Sequence, residues 1–178
     1  MEFYDVINSR RSIRRYKDIP VEKEKLQAVM NAAIQAPTWK NLQGWRVIII
    51  GPESKDKILQ SIPDTNPGKK GIASAPLVMV FCANPADSGE RDGQNYYLVD
   101  SGIAMEHLVL AARNEGLGTC WMGIFDEAII KTSFGIPEQW RVVAITPLGY
   151  PDQDPQPRPR KALAEMCFEG HWGNSVKN

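Results

Sequence analysis

The chain has 178 residues and a formal net charge of zero, so it is the size of one globular domain and has no overall charge to attract nucleic acid or an acidic membrane. Hydrophobic residues make up 43% and charged residues 24%, which is ordinary for a globular protein. Its apolar runs are too short to span a membrane, and its first residues lack the features of an export signal. We therefore expect a cytoplasmic protein that binds neither nucleic acid nor membrane.

The pattern of cysteines also favours a reducing compartment such as the cytoplasm. Cys82, Cys120 and Cys167 are odd in number and widely separated, with no C-x-x-C pair and no zinc-ligand spacing. We expect reduced thiols and no metal site.

The predicted elements intersperse helices and strands without a strict βαβ rhythm. In chain order they are a helix over 21–36, a strand over 45–50, a surface helix over 53–62, a turn-rich stretch over 63–71, a buried strand over 77–82, a polar loop over 84–93, a helix over 94–115 and a strand over 141–148. This order favours an α+β fold with a mixed sheet over a doubly wound one. We treat 1–178 as a single domain, in which the proline-rich and charged segment 151–178 is an extended tail.

The helix predicted over 94–115 is apolar around most of its circumference. Leu98, Ile103 and Leu108 are among the apolar side chains that cover more than one of its faces. A helix of this kind is buried on several sides. In so small a protein, this pattern indicates burial partly against another subunit.

A basic motif lies near the start of the chain. Over 10–16 the sequence reads Arg-Arg-Ser-Ile-Arg-Arg-Tyr, so the guanidinium groups of Arg10, Arg11 and Arg14 surround the hydroxyl of Ser12. The planar guanidinium fork matches the oxygens of a phosphate group. A solvated basic surface is the simpler alternative for this motif taken alone.

Two loops contain groups that suit a planar heterocycle. The loop over 36–45 carries two indoles and two amides, which can stack on a ring and hydrogen-bond to its edge. A plain structural turn explains this loop equally well. In 116–126, glycines flank Trp121 and Met122, and glycine allows a main-chain N–H to approach a ligand. The segment is not a dinucleotide fingerprint, because Trp121 occupies the place of the third glycine.

A second basic motif, Pro-Arg-Pro-Arg-Lys, lies over 157–161. Prolines hold the backbone extended, so Arg158 and Arg160 point the same way. A solvated tail is again the alternative.

In this order and spacing, the four segments resemble the nitroreductase family of FMN-dependent NAD(P)H oxidoreductases. The resemblance runs from Arg-Arg-Ser-x-Arg-x-Tyr at 10–16 to Arg-x-Arg at 158–160 and so covers nearly the whole chain. It implies an α/β/α sandwich with a mixed, mainly antiparallel sheet. It also implies an intertwined homodimer that binds FMN at its interface, with the tail wrapped over the partner subunit.

The resemblance also assigns site residues by position. Arg10, Arg11, Ser12, Arg158 and Arg160 would contact the phosphate and ribityl chain, Arg14 the pyrimidine side, and Met122, Gly123 and Ile124 the ring, while Pro37, Thr38, Trp39 and Asn41 would reach the cofactor from the partner subunit. The Gly123 N–H would point at N5 of the flavin. Arg14 and Gly123 are therefore the expected catalytic residues.

The implied activity is a ping-pong transfer of reducing equivalents from NADH or NADPH to a small electrophilic acceptor, such as a nitroaromatic compound or a quinone. Such a transfer depends on stacking and positioning more than on a side-chain acid, which agrees with a chain that has two histidines.

Two alternatives stay open. Trp39 stands where the family often has a small residue, and Ile124 stands where it often has a second glycine. These departures leave room for a specialised flavin-consuming or dehalogenating enzyme of the same fold. The two basic motifs alone are also compatible with a non-enzymatic anion-binding module. The physiological acceptor, the preferred nucleotide and the roles of Lys69 and Lys70 are not assigned by these patterns.

Overall fold

The computed structural model describes residues 1–176. Its helices are α1 (Phe3–Ser9), α2 (Lys23–Ile34), α3 (Lys55–Gln60), α4 (Lys69–Ser74), α5 (Tyr96–Asn114), α6 (Glu127–Phe134) and α7 (Leu163–Met166). Its strands are β1 (Trp45–Ile50), β2 (Leu77–Ala83), β3 (Glu90–Arg91), β4 (Gln94–Asn95), β5 (Gly118–Thr119) and β6 (Arg141–Gly149). Within 1–176, no helix is both long enough and apolar enough to cross a membrane.

A four-stranded sheet forms the centre of the structure, in the order β1-β2-β6-β5. Every neighbouring pair of its strands is antiparallel. One parallel bridge, between Ser12 and Thr119, joins the N-terminal segment to the edge strand β5. The basic motif is therefore attached directly to the sheet.

Successive side chains of β2 point to opposite faces of the sheet and enter two different cores. Met79 and Phe81 pack with buried residues of α2 and α5, among them Leu108. Val78 and Val80 pack with buried residues of α3, α4 and α6. Helices thus cover both faces of the sheet, which confirms the predicted α/β/α sandwich.

Most predicted elements are confirmed, with shifted ends. The helices over 21–36 and 94–115 are α2 and α5, and the strands over 45–50, 77–82 and 141–148 are β1, β2 and β6. The polar loop predicted over 84–93 is wrong in part, because Glu90–Arg91 pairs with Gln94–Asn95 in a hairpin and delays the start of α5. The turn of this hairpin, at Asp92 and Gly93, has positive φ at both residues (53° and 78°), as a tight hairpin turn requires.

Helical segments account for the other differences. The helix predicted over 53–62 is a 3-10 turn followed by α3, and the turn-rich stretch over 63–71 ends inside α4. α1 and α6 have no predicted counterpart. α6 nevertheless has local signals: the Asp126 carboxylate accepts hydrogen bonds from two N–H groups at its start, and Gly135 ends it with φ of 63°.

The long helix α5 keeps an apolar face outside the core of its own chain. Ala104, Met105 and Leu108 are buried, whereas Leu98 and Val99 are each 50% exposed. A Cβ atom placed on Gly102, in the same helix, would meet nothing within 4 Å. The predicted burial on several sides is therefore only partly achieved within one chain.

The tail has little regular structure. Beyond Pro151, its regular structure through residue 176 consists of α7 and a bridge between Phe168 and Ser175. Leu163, Met166 and Trp172 are 59%, 64% and 93% exposed. Residues 177–178 of the predicted tail lie outside the described part of the chain, and its wrapping over a partner subunit stays a prediction.

Candidate functional site

The basic motif is held by the main chain and by two buried side chains. The Ile13 N–H donates to the carbonyl of Thr119 at 2.8 Å, and the Tyr16 hydroxyl donates to the carbonyl of Ile13 at 2.7 Å. Ile13 and Tyr16 are both buried. Close approach to β5 requires Gly118, because a Cβ there would lie 2.7 Å from Cγ1 of Ile13. These contacts fix the backbone from which the neighbouring arginines project.

Both predicted basic motifs line a single cavity of about 770 Å³. Its lining consists of Ile7, Asn8, Arg10, Arg11, Ser12, Arg14, Glu106, Leu110, Pro155, Gln156, Pro157, Arg158, Pro159 and Arg160. Residues that are far apart in sequence, at 10–14 and 155–160, therefore meet across the second half of α5. The structure brings together all six of the side chains predicted to contact the phosphate end or the pyrimidine side of the cofactor.

The guanidinium groups of this cavity are not neutralised by ion pairs. Five arginines line it with one carboxylate, that of Glu106, and none of the five forms a salt bridge among residues 1–176. Arg11 donates to the carbonyls of Asn8 and of Arg10, each at 2.8 Å, but Arg10 and Arg158 donate no side-chain hydrogen bond within the described residues. Free guanidinium N–H groups that converge on one space form a binding site for an anion.

Glu106 and Cys120 report on the electrostatics around the cavity. Burial raises the pKa of Glu106, against the opposing charges of Arg10 and His107. Burial likewise raises the pKa of the Cys120 thiol, against the charge of Arg14, a hydrogen bond with Ser12 and the charge of Arg10. Burial thus outweighs the neighbouring positive charges at both groups.

The glycine-rich segment lies next to the basic motif, although its side chains differ in exposure. Met122 pairs with Ile145 through two main-chain hydrogen bonds of 3.0 Å, and its side chain is buried against Gly68. Met122 therefore presents neither an exposed side chain nor an unpaired main-chain N–H to a surface ligand. Gly123 and Ile124 are exposed, and within the described chain the Gly123 N–H has no acceptor. This N–H is free to donate to a ligand.

Helix α4 lies between the basic motif and the glycine-rich segment. A Cβ on Gly71 would lie 3.1 Å from Cα of Arg14, whereas Gly68, just before the helix, contacts Met122. Lys69 donates to the carbonyl of Ile62 at 2.8 Å and to Asp64 at 2.7 Å. Lys70 also belongs to α4, so this short helix places it between the basic motif and the glycine-rich segment.

Lys70 is a candidate that sequence reasoning left unassigned. It is exposed, and no hydrogen bond or ion pair of its ammonium group occurs in the part of the chain that the structure describes. Of the two lysines, Lys70 is therefore the one available to a ligand. Its placement depends on α4, and the turn-rich sequence gave no periodic signal for this helix.

The loop that contains Pro37, Thr38, Trp39 and Asn41 lies elsewhere in the same chain. The Trp39 N–H donates to Oδ1 of Asp100 at 2.8 Å, and its ring lies 4.5 Å from that of Tyr96. Both contacts are with the first half of α5, whereas Glu106 of the cavity lies six residues beyond Asp100, or roughly 9 Å along the helix axis. The structure does not place this loop among the lining residues of its own chain's cavity.

Comparisons with known proteins agree with this architecture. The sequence model of a family described as "Nitroreductase family" matches residues 7–73 and 64–150. A nitroreductase family protein from Clostridium novyi NT has a crystal structure with a TM-score of 0.83 and 38% identity, covering 98% of this chain and 97% of that one. An FMN-dependent nitroreductase from Clostridium difficile R20291 has a TM-score of 0.82 and 27% identity, covering 95% of this chain and 99% of that one. The NADPH:FMN oxidoreductase from Vibrio harveyi, complexed with NAD+, has a TM-score of 0.86 and 25% identity, covering 96% and 77%.

Proposed function

Since this chain belongs to the nitroreductase family, we propose that it is an FMN-dependent oxidoreductase that moves reducing equivalents from NADH or NADPH to a small electrophilic acceptor. The observation that carries the proposal is the cavity whose five guanidinium groups have no ion-pair partner among residues 1–176. A phosphate monoester is a dianion of suitable size and shape for such forks. The names of the Clostridium difficile and Vibrio harveyi relatives, which both include FMN, support the choice of cofactor.

The residues present fit a phosphorylated flavin. Arg10 and Arg158, whose guanidinium groups donate no hydrogen bond within the described chain, supply free donors for the phosphate, and the Ser12 hydroxyl lies beside them. Arg14 lies between the cavity and α4, on the side of the glycine-rich segment. The Gly123 N–H is exposed and lies outside the lining of the cavity, where we assign it as a donor for the edge of the ring. Different segments of the chain would thus supply the hydrogen-bond donors for the phosphate end and for the ring end of the ligand.

We assign the remaining contacts to a second copy of the chain. The loop with Thr38, Trp39 and Asn41 lies on the first half of α5, away from the arginines of its own chain. The exposed apolar side chains of α5 and of the tail supply a surface that a second copy can bury. In this arrangement FMN binds between the two subunits, held by the arginines of one and the loop of the other.

When bound, FMN would supply a two-electron redox centre between the nicotinamide and the acceptor. The protein's part is to bind, orient and polarise. Arg14 keeps a positive charge near the pyrimidine side, and the Gly123 N–H orients the ring edge. Neither histidine lines the cavity, and Nδ1 of His107 lies 3.2 Å from the carbonyl of Ala32 on α2. The histidines are therefore not assigned to acid catalysis at this site, and the role proposed for Arg14 and Gly123 is positioning.

The proposed activity is tested by the visible absorption of the purified protein under anaerobic conditions. The flavin absorption should bleach when NADH or NADPH is added and recover when a quinone or nitroaromatic acceptor follows. Arg14→Ala should slow the bleaching while leaving most of the FMN bound. Flavin that stays oxidised with both nucleotides would contradict the proposed donor, and a protein that binds no FMN would contradict the whole proposal.

The role of the arginines is tested by Arg10→Ala. This change should raise the dissociation constant for FMN by roughly 10- to 100-fold, because a hydrogen bond to a charged group contributes about 1.5–3 kcal/mol. Fluorescence quenching of added FMN measures the effect. Arg15→Ala is the matched control, since Arg15 belongs to the same motif but pairs with Asp152 at 3.2 Å and does not line the cavity. Equal losses in the two variants would contradict a specific phosphate contact.

The division of the site between two subunits is tested by mixing variants. Arg10→Ala and Asn41→Ala homodimers should each carry one defect in both sites. A mixed dimer should carry both defects in one site and none in the other. Refolding the two variants together should therefore restore tight FMN binding at one of the two sites of each mixed dimer. Isothermal titration calorimetry gives the stoichiometry. No recovery on mixing would contradict a site built from two chains.

A further inference from the structure

Asp100 is a buried carboxylate that the proposed chemistry does not use. It lies in the second turn of α5 and is 5% exposed. Its Oδ1 accepts from the Trp39 N–H at 2.8 Å, and its Oδ2 accepts from the Ser88 hydroxyl at 2.8 Å. No salt bridge to Asp100 occurs within residues 1–176. Burying polar atoms without partners is unfavourable, and these two hydrogen bonds satisfy both carboxyl oxygens of Asp100.

The loop that Asp100 holds has an unfavourable backbone. Lys40, Asn41 and Gln43 have φ of 47°, 57° and 52°, in the left-handed region that residues other than glycine seldom adopt. Within the loop, the Asn41 N–H donates to the carbonyl of Thr38 and the Gln43 N–H donates to the Thr38 hydroxyl, each at 3.0 Å. Strained conformations of this kind persist only where the surrounding structure imposes them. Asp100 supplies such a restraint from outside the loop.

The ring of Trp39 is fixed by the same neighbourhood. It lies so close over Gly89 that a Cβ there would be 2.2 Å from Cε2 of the indole, and it packs at 41° against Tyr96. Asp100 thus bonds to Trp39 and to Ser88, while the indole of Trp39 contacts Gly89, the residue after Ser88. The carboxylate therefore ties the 37–43 loop to the segment that precedes the β3–β4 hairpin.

We propose that Asp100 is a positioning residue of the cofactor site, which holds the 37–43 loop in the conformation that contacts the FMN bound by the partner subunit. The inference rests on the proposed function. A loop that is already ordered loses less conformational entropy on binding, so a loop held by Asp100 binds the cofactor more tightly than a released one. Asp100 acts through Thr38, Trp39 and Asn41 and does not touch the cofactor itself.

The test compares FMN binding by Asp100→Ala, Asp100→Asn and Ser101→Ala, each prepared as the full chain. Ser101 is also buried on α5, and its hydroxyl donates to the carbonyl of Tyr97 at 2.7 Å; within residues 1–176 its side chain makes no hydrogen bond to the loop. Ser101→Ala therefore reproduces the loss of a buried hydrogen bond from the same helix. The readouts are the dissociation constant for FMN and the visible circular dichroism of the bound flavin, which reports the asymmetry of its surroundings.

Asp100→Ala should raise the dissociation constant at least about tenfold, because a released loop must be ordered when FMN binds, and should alter the flavin dichroism. Asp100→Asn should recover most of both, because the amide oxygen still accepts from the Trp39 N–H. Ser101→Ala should stay within about twofold of the wild type, even if its melting temperature falls.

Ser88→Ala keeps the proposal testable if Asp100→Ala fails to fold. It removes one of the two hydrogen bonds of Asp100 from a partly exposed position and should shift both readouts in the same direction by a smaller amount. The proposal is overturned if wild-type protein binds FMN while Asp100→Ala matches Ser101→Ala, or if Asp100→Ala is insoluble and Ser88→Ala matches Ser101→Ala. Failure of the wild type itself to bind FMN would instead overturn the proposed function.

Discussion

The concentration of positive charge at one cavity is the constraint on which the rest of the site depends. Five guanidinium groups converge there beside one carboxylate, and burial raises the pKa of that carboxyl group, Glu106. Main-chain bonds to β5 and the buried side chains of Ile13 and Tyr16 hold the backbone from which Arg10, Arg11 and Arg14 project, against the repulsion between their like charges. A bound dianion, as proposed, would relieve the repulsion and would also stabilise the fold.

Helix α5 links the two halves of the proposed cofactor site. Its second half lines the arginine cavity through Glu106 and Leu110, and its first half holds the 37–43 loop through Asp100. The apolar face that α5 leaves exposed at Leu98 and Val99 lies in this first half. In the proposed dimer, a second copy packs against that face and the loop of one chain reaches the arginines of the other, so that dimerisation and cofactor binding are coupled.

Patterns of neighbouring residues predicted the helices, strands and motifs that depend mainly on the sequence nearby. Apolar periodicity located α2, α5 and the three long strands, and the two arginine motifs indicated the groups that meet at the cavity. Contacts between segments that are distant in the sequence could not be predicted from it. The burial of Met122 depends on Gly68, the availability of Lys70 depends on the short helix α4, and the role of Asp100 depends on a hydrogen bond to Trp39. None of these contacts leaves a periodic or spacing signal in the chain.

The measurement that tests the central claim most directly is a comparison of FMN with riboflavin, the same ring system without the phosphate, by fluorescence titration at several salt concentrations. If the arginine cavity binds the phosphate, the dissociation constant for FMN should be at least about 100-fold lower than that for riboflavin, because several charged hydrogen bonds are involved. The ratio of the two dissociation constants should fall toward one as salt increases. Equal affinities for the two flavins, independent of salt, would contradict the account.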